Sequence, residues 1–170
     1  MKTTYLKTLC VLVLAGVTAV NPTTKAAAQW NDRDDDKWTL EGTWITQVTL
    51  EDCQTHAALA APFISMGSFA HGGTFTETTS SPAFFPAQRT PGHGVWIRTG
   101  RHSYKASSMA LITLNGTLVR IQTITQTIEM KTPNQIVTTA ASVQFFNPDG
   151  TPFPASGCAT AVSTRFELQM

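Results

Sequence analysis

The sequence predicts an all-β domain: an eight-stranded antiparallel up-and-down barrel closed by pairing of the first and last strands. Three observations predict it. Runs rich in β-branched residues alternate with Gly, Pro and Asn turn signals from Thr43 onward. No stretch shows sustained helical periodicity. Cys53 falls just past the first run and Cys158 opens the last, so a bridge between them would bring the two ends of the chain together. Composition agrees, because charged residues make up only 14% while Thr, Ser, Ala, Val and Ile abound.

The strands follow in order. Thr43 to Glu51 is the first, and the loop from Asp52 to Ala61 has room for one helical turn. Phe63 to Ala70 and Thr74 to Thr79 form a hairpin around His71-Gly72-Gly73. A Pro-rich loop then leads to Val95 to Thr99. His102 to Leu114 and Thr117 to Met130 are joined by Asn115-Gly116, a strong hairpin signal because both residues tolerate positive φ. Gln135 to Phe146 ends at "NPDG", and Cys158 to Leu168 is the eighth strand.

The chain start carries an export pattern. Lys2 and Lys7 precede the apolar run Leu9 to Val20, and Ala26 to Ala28 offer a small-residue cleavage site. Residues 1–28 are therefore expected to be a removed signal peptide, 29–39 a polar, disordered arm, and 40–170 the barrel. The apolar run is too short to span a bilayer comfortably, no later segment is a candidate, and Cys10 lies at the start of the run rather than at its end in a lipobox. The expected location is secreted or periplasmic, without stable membrane insertion. A net charge of +1 with no basic stripe leaves nothing to neutralise a row of phosphates, which argues against nucleic acid as a partner.

If the bridged cysteines face each other across antiparallel strands, paired positions sum to about 211. Trp44 then falls opposite Glu167 and Arg165 opposite Thr46, making Trp44 and Arg165 diagonal neighbours on one face. Gly42-Thr43-Trp44 resembles the Gly-x-Trp of the lipocalin and calycin barrels. In those barrels the first-strand Trp closes the floor and a late Arg packs across it, a part that Arg165 matches. The stretch from Leu40 to Glu167 also resembles small secreted bacterial proteins of calycin-like type, through "GTFTETTSSPAF", "PGHGVW", "ITQTIE" and "GCATAVSTRFE". The chain departs from lipocalins in its short length, in having no C-terminal helix pattern and in lacking Thr-Asp-Tyr on the third strand. The likeness implies a fold more than a transport role.

Hairpin counting assigns the faces. With Leu114 opposite Thr117 and Gln126 opposite Thr139, one face gathers Met109, Leu111, Leu118, Ile124, Ile128, Met130, Val137, Ala141, Val143 and Phe145. The other carries Tyr104, Ser108, Thr123, Thr125, Thr127, Thr138 and Ser142. The Thr-rich face is expected to meet water. Trp96 and Lys105 join the inner face if Thr99 pairs with His102. Arg120, Gln122 and Gln126 also point inward, and Glu77 shares a face with Phe75. Buried polar groups need partners, so these residues are either the polar handles of an apolar pocket or an internal network that fixes register.

No metal-ligand spacing joins His56, His71, His93 and His102, no Gly-x-Ser-x-Gly is present, and "GSFAHGG" precedes no helix that would bind phosphate. Neither metal nor cofactor is expected, and no catalytic residue is assigned. Glu77 with His93 is the weak candidate for an acid–base pair. The leading expectation is a barrel that binds a small hydrophobic or amphipathic molecule through Trp96, Gln122, Gln126 and Arg120. Phe84 and Phe85, in the loop from Ser80 to Gly94, would close over it. The alternatives are an isomerase or cyclase of the allene-oxide-cyclase or dirigent kind, and an envelope or protein-interaction domain without a ligand. Enzymatic activity is left open, leaning against.

Overall fold

The computed structural model describes residues 38–168. The expected signal peptide, and all of the expected arm but Trp38 and Thr39, lie outside the described residues. The strands are β1 (Gly42–Glu51), β2 (Phe63–Phe69), β3 (Thr74–Thr79), β4 (Gln88–Arg89), β5 (Gly92–Arg98), β6 (Ser103–Leu114), β7 (Thr117–Thr132), β8 (Gln135–Phe146) and β9 (Pro152–Arg165). Every pairing is antiparallel. β9 returns to β1, and β6 pairs with β7 to complete the ring. β4 and β5 lie along the same edge of β6, so the two act as one interrupted strand and the barrel has eight staves. Among the described residues, closure leaves no long unpaired edge to template aggregation.

Cys53 and Cys158 are bridged, with Cα atoms 5.2 Å apart. The register beside them differs from the expected one by two residues: Trp44 pairs directly with Arg165, and Glu51 rather than Cys53 pairs with Cys158. The cause is a turn. Asp52 Oδ1 accepts hydrogen bonds from the backbone N–H of Gln54 and Thr55 and from the Thr55 hydroxyl. This Asx-type turn takes Cys53 off the ladder and swings its sulfur back to Cys158. A slip of two preserves side-chain parity, so Trp44 and Arg165 still share a face.

That face is the barrel floor. Trp44 and Leu40 are fully buried among Phe69, Phe75, Tyr104, Ile128, Met130 and Ile136, with Trp38 and Trp96 packed against them. Arg165 lies over the Trp44 ring, its Cζ 4.3 Å from the centroid. Its three nitrogens donate to the carbonyls of Pro133, Glu41 and Thr39 at 3.0, 2.6 and 2.7 Å. Trp44 Nε1 donates to Leu40 O, and the Tyr104 hydroxyl donates to Trp38 O. Trp38 and Thr39 therefore belong to the floor rather than to a free arm. Gly42 has φ +125°, and a Cβ there would lie 2.6 Å from Arg165 Nη1, so the glycine of Gly-x-Trp is required by its backbone and by its neighbour alike.

Three β-bulges correct the expected faces. Leu114 does pair with Thr117, but Val119 is an extra residue on β7, so Ile112 pairs with Arg120 and the parity of β6 inverts. Tyr104, Ala106, Ser108, Ala110 and Ile112 are buried, whereas Lys105, Met109 and Leu111 are exposed. On β8 an extra residue sits between Thr138 and Ala141. Ala141, Val143 and Phe145 point inward as expected, but Ile136 and Thr138 replace Val137. The third bulge separates β4 from β5. Arg89 pairs with Ile112 and His93 with Met109, leaving three residues opposite two at Thr90–Pro91–Gly92. Pro91 has no N–H to offer the ladder, which suits it to this break. The bulge turns Arg89 into the lumen.

Candidate functional site

Above the floor, the barrel holds a cavity of about 500 Å³, within the usual size range for small-molecule sites. Small residues create it. β9 lines one wall with Ala155, Gly157, Ala159, Ala161 and Ser163, and Gly67 and Ala141 extend that wall on β2 and β8. Phe69, Phe75 and Ile128 form the bottom, while Leu59, Phe63, Phe84, Phe145 and Phe153 lie at the other end. The disulfide borders the same space through Cys158.

One polar bridge crosses the lumen. Arg89 forms an ion pair with Glu77 in which Nη2 reaches Oε1 and Nη1 reaches Oε2, and their side chains are 4% and 10% exposed. Arg89 Nε donates to Gln122 Oε1, and Nη1 also reaches Thr90 O. Phe84 covers the guanidinium, with 5.8 Å between Cζ and the ring centroid. The bridge crosses a trough of small residues. Glu77 pairs with Gly92, the β5–β6 register brings Gly92 beside Ala110, and Ala110 pairs with Gln122. A Cβ on Gly92 would lie 2.0 Å from Glu77 Oε1. Glycine is therefore the residue that lets the carboxylate lie flat against β5.

The remaining inward polar groups are mostly matched. Thr138 Oγ1 donates to Gln126 Oε1 at 3.3 Å, Thr46 Oγ1 donates to Ser163 Oγ at 2.8 Å, and Thr160 donates to Glu51. Arg120 lies near the mouth with its Cζ 3.8 Å from the Phe153 ring centroid. Searched against known proteins, the sequence matches no family model and no curated protein. The closed barrel and its Trp44–Arg165 floor are consistent with a calycin-like fold.

The residues proposed from sequence divide cleanly. Gln122, Gln126, Arg120 and Phe84 line the cavity together, and Glu77 joins them. Phe85 does not: it is 88% exposed. Trp96 faces inward but belongs to the floor, where its Nε1 donates to Ala70 O and its ring meets Phe69 and Tyr104 edge-on. It does not line the cavity with Gln122 and Gln126, although its row on the sheet runs through Ala106 to Gln126. The Glu77–His93 pair is not assembled. His93 pairs with Thr76, one position off Glu77's row, and its exposed side chain points to the opposite face while Arg89 occupies both carboxylate oxygens. Among the described residues no cluster of His, Cys, Asp and Glu could hold a metal ion.

Sequence reasoning missed Arg89, Ser108 and Thr138 as cavity residues. Arg89 was hidden by the Thr90–Pro91 break, and the other two by bulges that no hairpin count contains. The signal for Arg89 was nonetheless present: a lone inward carboxylate at Glu77 needs a cation, and the adjoining loop supplies one.

Proposed function

We propose that this protein is a carrier or binding barrel that holds one small hydrophobic or amphipathic molecule in its interior. One observation carries the reading: a cavity of about 500 Å³ with mostly apolar walls sits above a floor that is itself tightly filled. A chain that merely needed a packed core would place larger residues where β9 has Ala159 and Ala161, because such voids forfeit contact energy. The disulfide and the absence, among the described residues, of a helix long enough to cross a membrane are compatible with work in a secreted or periplasmic setting. A kinship with lipocalins rests on the Gly42-Thr43-Trp44 motif and on Arg165 over Trp44. A cyclase-type activity is less well supported, since Glu77 reaches the cavity already engaged by Arg89.

Native mass spectrometry of protein gently purified from its own host tests the reading. A one-to-one non-covalent adduct that disappears on denaturation is the expected result. Ligand-free protein that also fails to take up any apolar probe would overturn it.

A further inference from the structure

The polar inventory of the cavity narrows the kind of ligand. Among the described residues, four charged side chains line it, Glu51, Glu77, Arg89 and Arg120, two of each sign. Arg89 is neutralised by Glu77 in a bidentate pair, and Arg120 is stacked on Phe153 near the mouth with its Nη1 on Val119 O. Among the described residues, no deep cation is left to receive a carboxylate or phosphate. The buried uncharged polar residues among those described are Ser108, Gln122, Thr138 and Ser163, and all line the cavity. Gln122 bonds Arg89, Thr138 bonds Gln126, and Ser163 bonds Thr46. Ser108 is 3% exposed and its hydroxyl has no hydrogen-bond partner.

Ser108 sits at a telling depth. It is two residues from Ala110 on the same face of β6, one layer below the Arg89 bridge and four residues above Tyr104 of the floor. Gly94 pairs with it on one side and Ile124 on the other, so neither directly opposed residue offers it a polar group, and the amides of Gln122 and Gln126 on the diagonals are engaged with Arg89 and Thr138. A buried hydroxyl is both donor and acceptor, and leaving it unmatched is unfavourable. Resting on the carrier reading above, we propose that the cavity selects a neutral amphipathic ligand whose hydroxyl or carbonyl oxygen bonds Ser108 below the Arg89 bridge, with its apolar body toward the phenylalanines of the mouth. The ligand is an alcohol, ketone or ester of a hydrophobic skeleton rather than a fatty-acid-type anion.

Equilibrium dialysis with four probes of matched size tests this: 2-naphthalenemethanol, 2-acetylnaphthalene, 2-ethylnaphthalene and 2-naphthoate. The neutral alcohol and ketone should bind about 3- to 10-fold more tightly than the hydrocarbon, the worth of one buried hydrogen bond, and the anion most weakly. Ser108→Ala should remove that advantage, so that alcohol, ketone and hydrocarbon bind about equally, while Ser108→Thr, which keeps the hydroxyl, should retain it. All neutral probes binding equally, in the parent and in Ser108→Ala, would overturn the assignment of Ser108 and leave the carrier reading standing. Naphthoate binding best would overturn the neutral-ligand claim. No probe binding at all would overturn both.

Discussion

The floor and the cavity of this barrel are built by the same strands, in places only four residues apart, and they solve opposite problems. At the floor, Trp44, Tyr104, Phe69, Phe75 and Ile128 fill the lumen, and Arg165 ties the entering chain to the β7–β8 turn through carbonyls of Thr39, Glu41 and Pro133. Higher up, the inward positions include Gly67, Gly92, Ala110, Ala159 and Ala161, and the long polar side chains Glu77, Arg89 and Gln122 are paired with one another. A closed sheet imposes nearly the same width along its length. The difference in filling is therefore a matter of side-chain volume and not of backbone. One end stabilises the barrel; the other gives up packing for space.

Large core deletions should separate the two halves most sharply. Trp44→Ala should cost about 3–5 kcal/mol in denaturant unfolding, whereas Ile124→Ala, which borders existing space, should fall at the low end of its class, about 2 kcal/mol. Equal losses would mean that the upper half is packed as tightly as the floor. The bridge comes next. Arg89→Met should cost about 3 kcal/mol by leaving the buried Glu77 carboxylate without its cation, and adding Glu77→Leu should restore part of that loss. Strictly additive costs in the double-mutant cycle would show that the two side chains do not meet. Gly92→Ala should cost about 1–3 kcal/mol, because its Cβ would need the space of Glu77 Oε1. A neutral effect would place the carboxylate elsewhere.

The smallest effect is a pH dependence at the Asp52 turn. Hydrogen bonds from the Thr55 backbone, then from the Gln54 backbone and the Thr55 hydroxyl, hold the Asp52 carboxyl below its ordinary value. A depressed carboxylate stabilises the fold above its unfolded pKa of about 3.9, and that contribution is lost as pH falls through the folded value. Melting of the parent protein should therefore be more acid-sensitive below about pH 4 than that of Asp52→Asn. Identical pH profiles would remove the turn from the account of how Cys53 reaches Cys158.

The same division explains what the sequence disclosed. Strand existence, the Asn115-Gly116 hairpin, the Cys53–Cys158 bridge and the shared face of Trp44 and Arg165 were legible, because each rests on local turn chemistry or on parity that a two-residue slip preserves. Gln122, Gln126 and Arg120 were legible as inward polar groups because β7 holds one parity from Arg120 to Met130. Met109, Leu111 and Val137 went to the wrong face because a single bulged residue inverts every side chain beyond it, and apolar content alone does not reveal where the bulge lies. Trp96 was assigned to the cavity since its inward direction was readable but its height in the barrel was not. That height depends on which row of β6 it meets, and it meets Ala106 beside the floor residue Tyr104.

The central claim is that the space above the floor is a binding site, and a cavity-filling variant tests it most directly. Ala159 is buried on the β9 wall, so Ala159→Trp would occupy the lumen from within. Titration with the neutral dye N-phenyl-1-naphthylamine should show one saturable site per barrel in the parent protein. In Ala159→Trp that site should be lost while the far-ultraviolet circular dichroism stays that of a β-barrel. Saturable binding of the same strength in both proteins, or in neither, would contradict the claim.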